Sequence, residues 1–92
     1  MLRFEHGFQL NDVRRYAQEG RIKDPVVVHH NGGFTLFFCL EKRNRILENC
    51  VLITNRARPR EWKKARTYLR ELKSSGIPRW RVRKGAIHDN SI

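Results

Sequence analysis

The sequence predicts a small α+β domain: a three-stranded antiparallel sheet, with a candidate fourth strand near the C-terminus, packed against one long basic amphipathic helix and preceded by a short helix. Three observations lead there. A β-branched run, Val26-Val27-Val28, meets Asn31-Gly32 and then the apolar run Phe34 to Leu40, a short-range hairpin signal because Asn and Gly tolerate positive φ. Residues 59–73 repeat apolar side chains at helical spacing. With 92 residues, 39% of them hydrophobic, the chain can bury one modest core and not two. The domain is expected to span residues 1–84, with 85–92 as a flexible tail.

Each element follows from local chemistry. LNDVRRYAQE, residues 10–19, reads as a short helix with Asn11 as its cap and Gly20 as its end. Leu10, Val13 and Ala17 share one side, with Tyr16 beside them. Asp24-Pro25 breaks that pattern. A two-residue loop at Asn31-Gly32 sets Val27 opposite Leu36 and Val26 opposite Phe37. The polar stretch EKRNR makes the next turn, and ILENCVLIT, residues 46–54, is the third strand. A loop centred on Asn44-Arg45 would place Cys39 opposite Cys50 and gather Phe34, Leu36, Phe38, Val51 and Ile53 on one face. Phe37, Leu52 and the cysteines would hold the other face, which the first helix is expected to cover.

The second helix is expected over Pro59–Lys73, with Pro59 in its first turn and Gly76 past its end. Trp62, Ala65, Leu69 and Leu72 then form a single buried stripe, with Tyr68 widening it. Pro78 opens the fourth strand, PRWRVRK. Arg79, Arg81 and Arg83 point to one side of it, and Trp80 and Val82 to the other. Such a unit packs one sheet face on the long helix.

Charge is distributed very unevenly. Residues 56–84 hold twelve Lys or Arg against Glu61 and Glu71, whereas all other residues together are +1 of the total +11. Such a block repels itself unless a polyanion neutralises it. On the expected helix, Arg60 with Lys64 and Arg66 with Arg70 are like-charge pairs at i, i+4, each unfavourable by a few tenths of a kcal/mol. A phosphate backbone would reverse that sign and release counterions. Arg56, Arg58 and Arg60 lie where the third strand passes to the helix. Arg79, Arg81 and Arg83 recur about 6.6 Å apart along one strand side, and arginine offers a planar fork suited to phosphate or guanine edges. Arg56, Arg58, Arg60, Lys63, Lys64, Arg66, Arg70, Arg79, Arg81 and Arg83 are therefore the candidate nucleic-acid contacts. Trp80, set among arginines, is a candidate to stack on a base. A solvated face serving only solubility is the competing reading of the same charges.

Other chemistry finds little support. Cys39, Cys50, His6, His29, His30 and His88 show no metal-ligand spacing, so no metal or cofactor is expected. The cysteines read as buried thiols in a reducing compartment rather than a cross-strand disulfide. No nucleophile–base arrangement, Gly-rich phosphate loop or carboxylate cluster can be placed, so no enzyme is expected. Neither a run of roughly 20 apolar residues nor a leader pattern is present, pointing to a cytoplasmic protein without a membrane partner.

One resemblance in sequence and two in topology add to this reading. VLITNRARPREWKKARTYLRELKSSGIPRWRV, residues 51–82, resembles a strand–RxxPRxW–helix–LREL–GI–strand cassette of small accessory proteins from bacterial plasmids, phages and integrative elements. It covers about a third of the chain and implies a mobile-element accessory protein without a defined activity. The order helix, three strands, helix is similar to the double-stranded RNA-binding domain, with Lys63 and Lys64 near the position where that domain grips phosphates. The minor-groove loop of that domain, its final strand and its small-residue helix packing are not matched. A three-stranded sheet with a helix also resembles integrase arm-binding domains, which read DNA with the sheet. The expectation is a non-enzymatic nucleic-acid-binding accessory protein. The alternative is a phage or mobile-element protein, similar in role to anti-CRISPR proteins, that occupies the nucleic-acid path of a host nucleoprotein complex. In either case a second copy of the chain is a further candidate partner.

Overall fold

The computed structural model describes residues 4–30 and 32–85. Seven elements follow in order: β1 (His6–Phe8), α1 (Leu10–Gln18), β2 (Ile22–His30), β3 (Gly33–Lys42), β4 (Arg45–Leu52), α2 (Ala65–Ser74) and β5 (Arg81–Lys84). The strands form one mixed five-stranded sheet in the order β1-β4-β3-β2-β5. The expected three-stranded antiparallel sheet on one long helix is thereby corrected. The antiparallel meander β2-β3-β4 is its centre, but β1 pairs parallel to β4 at one edge and β5 parallel to β2 at the other. Each added strand is joined to the meander through a helix, as parallel pairing requires. The expected tail, apart from Gly85, lies outside the described residues, as does Asn31.

The β2–β3 hairpin has the register its loop demands, with Val27 opposite Leu36 and Val26 opposite Phe37. Asp24, at φ 47°, and Pro25 sit within β2 where its register shifts by one residue. A bulge accepts a proline because that position is not asked to donate to the ladder.

Between β3 and β4 the register departs from expectation. The turn residues are Arg43-Asn44, and Asn49 at φ 57° marks a further shift, so Phe38 faces Cys50 and Phe37 faces Val51. A one-residue slip exchanges the faces of a strand. Cys50 and Leu52 consequently join Leu36 and Phe38 on the core side, Val51 moves to the opposite side, and Cys39 and Cys50 are both free thiols on opposite faces.

Helix α1 forms where expected, but Gln9 is its extended cap residue, without a side-chain cap, and Asn11 lies inside it. Gly20, at φ 73°, ends it. Helix α2 is six residues shorter at its start than the apolar spacing predicts. Residues 59–62 are extended instead: Pro59 bridges Ile53 and Trp62 bridges Phe34. The Arg60 amide donates to Leu52 O at 2.8 Å, and Trp62 and Phe34 exchange both backbone hydrogen bonds at 2.8 and 2.9 Å. Bonds to the ends of β3 and β4 thus outcompete a first helical turn, which fixes several dihedrals for one bond. The buried side of α2 turns accordingly: Tyr68 and Leu72 are buried, while Ala65 is exposed and Leu69 is 43% exposed.

Val13 of α1, Tyr68 and Leu72 of α2, and Val27, Leu36, Phe38, Leu40, Cys50 and Leu52 of the sheet form one cluster, completed by Trp62 and Ile77. Both helices therefore lie on the same sheet face, and α1 does not cover the second face. Among the described residues no helix is long and apolar enough to cross a membrane.

Candidate nucleic-acid interface

Strand directions sort the charges along the molecule. The C-terminal ends of β1, β2, β4 and β5 all lie at one end of the sheet, where β3 and α2 begin. Call this the upper end. Glu5, Glu19, Asp24, Glu41 and Glu48 all belong to the lower half, together with Arg21, Lys23, Lys42, Arg43 and Arg45. There acids and bases are interspersed, with Arg21 3.2 Å from Glu19 and Lys23 3.5 Å from Glu41.

The upper end is different. Arg56 and Arg58 are exposed on the loop leaving β4, Lys63 and Lys64 are exposed just before α2, and Lys84 ends β5 opposite His29. Glu61 lies here, 4.0 Å from His30 Nε2 and not within reach of these cations. Arg66 and Arg70 continue the surface down the exposed side of α2, whose first turn holds no acidic residue and whose cap residue is Lys64.

A clamp holds this end together. The Trp62 indole N–H donates to Glu71 Oε1 at 3.0 Å, and the Arg60 guanidinium donates to Glu71 Oε2 at 3.1 Å. The same guanidinium lies 5.8 Å from the Trp62 ring centre. In an extended segment residues 60 and 62 share a side, so one carboxylate on α2 receives both. Tyr68 then packs on Phe34, with ring centres 4.7 Å apart, and His29 stacks on the other side of Phe34 at 4.4 Å. Thr35, fully buried, is satisfied by His30 Nε2 at 2.8 Å, while His30 Nδ1 accepts the Gly32 amide.

The sequence candidates therefore fall into separate groups. Arg56, Arg58, Lys63, Lys64, Arg66 and Arg70 share the upper end and outer side of α2. Arg60 is part of the clamp. Arg79 is exposed on the loop before β5, and Trp80 is half-buried with its ring centre 6.3 Å from that of Tyr68. Arg81 and Arg83 pair with Val26 and Val28, which places them on the sheet face opposite the helices. Sequence reasoning missed Lys84, His29 and Phe37 as neighbours of these groups. Only the parallel pairing of β5 with β2 brings them there.

Burial raises the Cys50 thiol to about 11 and raises Cys39 as well. Among the described residues no group of three His, Cys, Asp or Glu side chains is placed to hold a metal ion. No known protein family, no curated protein and no solved structure matches this chain.

Proposed function

We propose that the protein is a nucleic-acid-binding protein without catalytic activity, holding the phosphate backbone over its upper end and along the outer side of α2. Arg56, Arg58, Lys63, Lys64, Arg66 and Arg70 make the contacts. The observation that carries this reading is the state of the cations: among the described residues, of the ten candidate Lys and Arg side chains, Arg60 alone lies within 4.0 Å of a carboxylate. In the lower half, by contrast, Arg21 and Lys23 lie 3.2 and 3.5 Å from Glu19 and Glu41. Unmatched cations around a helix start are unfavourable to one another and to the helix dipole, and an anionic backbone removes both penalties. The resemblance of residues 51–82 to mobile-element accessory proteins fits the same role.

Binding to duplex DNA, duplex RNA and single strands, followed by fluorescence anisotropy at low salt, tests this. A triple variant, Arg58→Glu with Lys63→Glu and Lys64→Glu, is expected to lose about tenfold or more in affinity. Lys42→Glu with Arg43→Glu, at the opposite end, is expected to change it little. No binding to any of the polymers, or equal losses from both variants, would overturn the proposal and favour an acidic protein partner.

A further inference from the structure

We infer that the helix-free face of the sheet takes an unpaired segment of nucleic acid, with a base stacked on Phe37 and neighbouring phosphates on Arg81 and Arg83. The inference rests on the proposed nucleic-acid function and names the form of polymer it would prefer.

The register aligns the necessary groups. Arg81 of β5 pairs with Val26 of β2, Val26 with Phe37 of β3, and Phe37 with Val51 of β4. One row across four strands thus runs from a guanidinium through a small apolar residue to an aromatic ring. Adjacent strands are about 4.8 Å apart, so the arginine backbone lies roughly 10 Å from that of the ring, within reach of one flexible side chain. The next row repeats the cation, with Arg83 beside Val28 and Thr35. Arg81 and Arg83 are exposed, and both point to this face.

Phe37 differs from its neighbour Phe38, which is 2% exposed in the core cluster. Phe37 is only half-buried, as are Val26 and Cys39 around it. On this face Thr35, Val28 and Val51 are buried, so Phe37 is the aromatic side chain among them that stays partly open. The Phe37 row holds no carboxylate, and Glu61, set beside Thr35 by the Trp62–Phe34 bridge, closes the next row 4.0 Å from His30 Nε2. On the same face Glu41 lies lower and is engaged by Lys23. An aromatic ring on a sheet, beside a cationic rim, is suited to stacked unpaired bases, whatever their sequence, because every base has a π-face. A duplex offers no free base face to it.

The test uses the full chain with oligothymidylate, oligouridylate and an abasic sugar–phosphate oligomer of equal length. Phe37→Leu keeps an apolar side chain and removes the π-face. It is expected to weaken binding of both base-containing strands by roughly fivefold to a hundredfold and leave the abasic oligomer unchanged. Phe37→Trp is expected to restore binding, and Arg81→Ala with Arg83→Ala to weaken all three. Thermal melts of each variant establish that it folds. Unchanged affinity of folded Phe37→Leu for the base-containing strands, or loss of a dimer by sedimentation on that substitution, overturns the inference. Binding to any of the polymers that survives those outcomes and is lost in the Arg58, Lys63 and Lys64 triple variant leaves the upper-end proposal standing, whereas absence of binding to all of them with wild-type protein refutes that proposal separately.

Discussion

Replacing Glu71 by alanine removes the acceptor that joins the extended segment 59–62 to α2. Two bonds are lost, from the Trp62 indole at 3.0 Å and the Arg60 guanidinium at 3.1 Å. Trp62 is 3% exposed, so its N–H gains little water in exchange. An unsatisfied buried donor costs about 1–3 kcal/mol. Arg60 and Glu71 are about a third and a quarter exposed, so their ion pair adds at most about 1 kcal/mol. The expected loss is about 2–3 kcal/mol, or roughly 10–20 °C in Tm for a domain of this size. Circular dichroism melts with tryptophan fluorescence would measure it. Glu71→Gln retains an acceptor for the indole and should lose only about 1 kcal/mol. Trp62→Phe in the Glu71→Ala background should recover part of the loss, because donor and acceptor are then both gone. A Glu71→Ala change within about 0.5 kcal/mol of wild type, as for an ordinary surface position, would refute the claim that this carboxylate fixes the upper end.

Other consequences follow from single contacts. Gly33→Ala should destabilise by at least about 2 kcal/mol in denaturant unfolding, because Gly33 has φ 145° and an added Cβ would collide with the Trp62 carbonyl oxygen. His30→Ala should lose about 1–3 kcal/mol by stranding the buried Thr35 hydroxyl, and adding Thr35→Val should return part of it. Cys50 is pushed up to about 11 by burial, so the unfolded chain releases its proton first as pH rises. Stability should be fully present below pH 9 and fall between about 9 and 11, and Cys50→Ala should flatten that decline. Under mild oxidation Cys39 and Cys50 should remain unbridged within one chain, since the sheet separates them, and intact-mass measurement would detect the bond if it formed.

The parts of this fold that local chemistry dictates were legible in the chain. The Asn31-Gly32 signal set the β2–β3 register, and the spacing of Leu10, Val13 and Ala17 set α1. Three features were not legible, each because a distant bond decides it. His6–Phe8 is too short to show periodicity and becomes a strand only by pairing with β4. Residues 59–62 suit a helical first turn as well as an extended segment, and the free ends of β3 and β4 select the second. Asn49 adopts positive φ and shifts β4 by one residue, moving Cys50 and Leu52 into the core. The candidate site inherits these errors. The charge block was plain in composition, but the loss of the first helical turn drew Arg60 into the clamp, and the parallel pairing of β5 sent Arg81 and Arg83 to the opposite face.

The salt dependence of binding tests the central claim most directly. If the six cations of the upper end and α2 each displace one counterion, log affinity should fall against log salt with a slope of about −4 to −5. Replacing Lys63 and Lys64 by alanine should reduce that slope by about 1.5. A slope near zero, or one that the double substitution leaves unaltered, would contradict it.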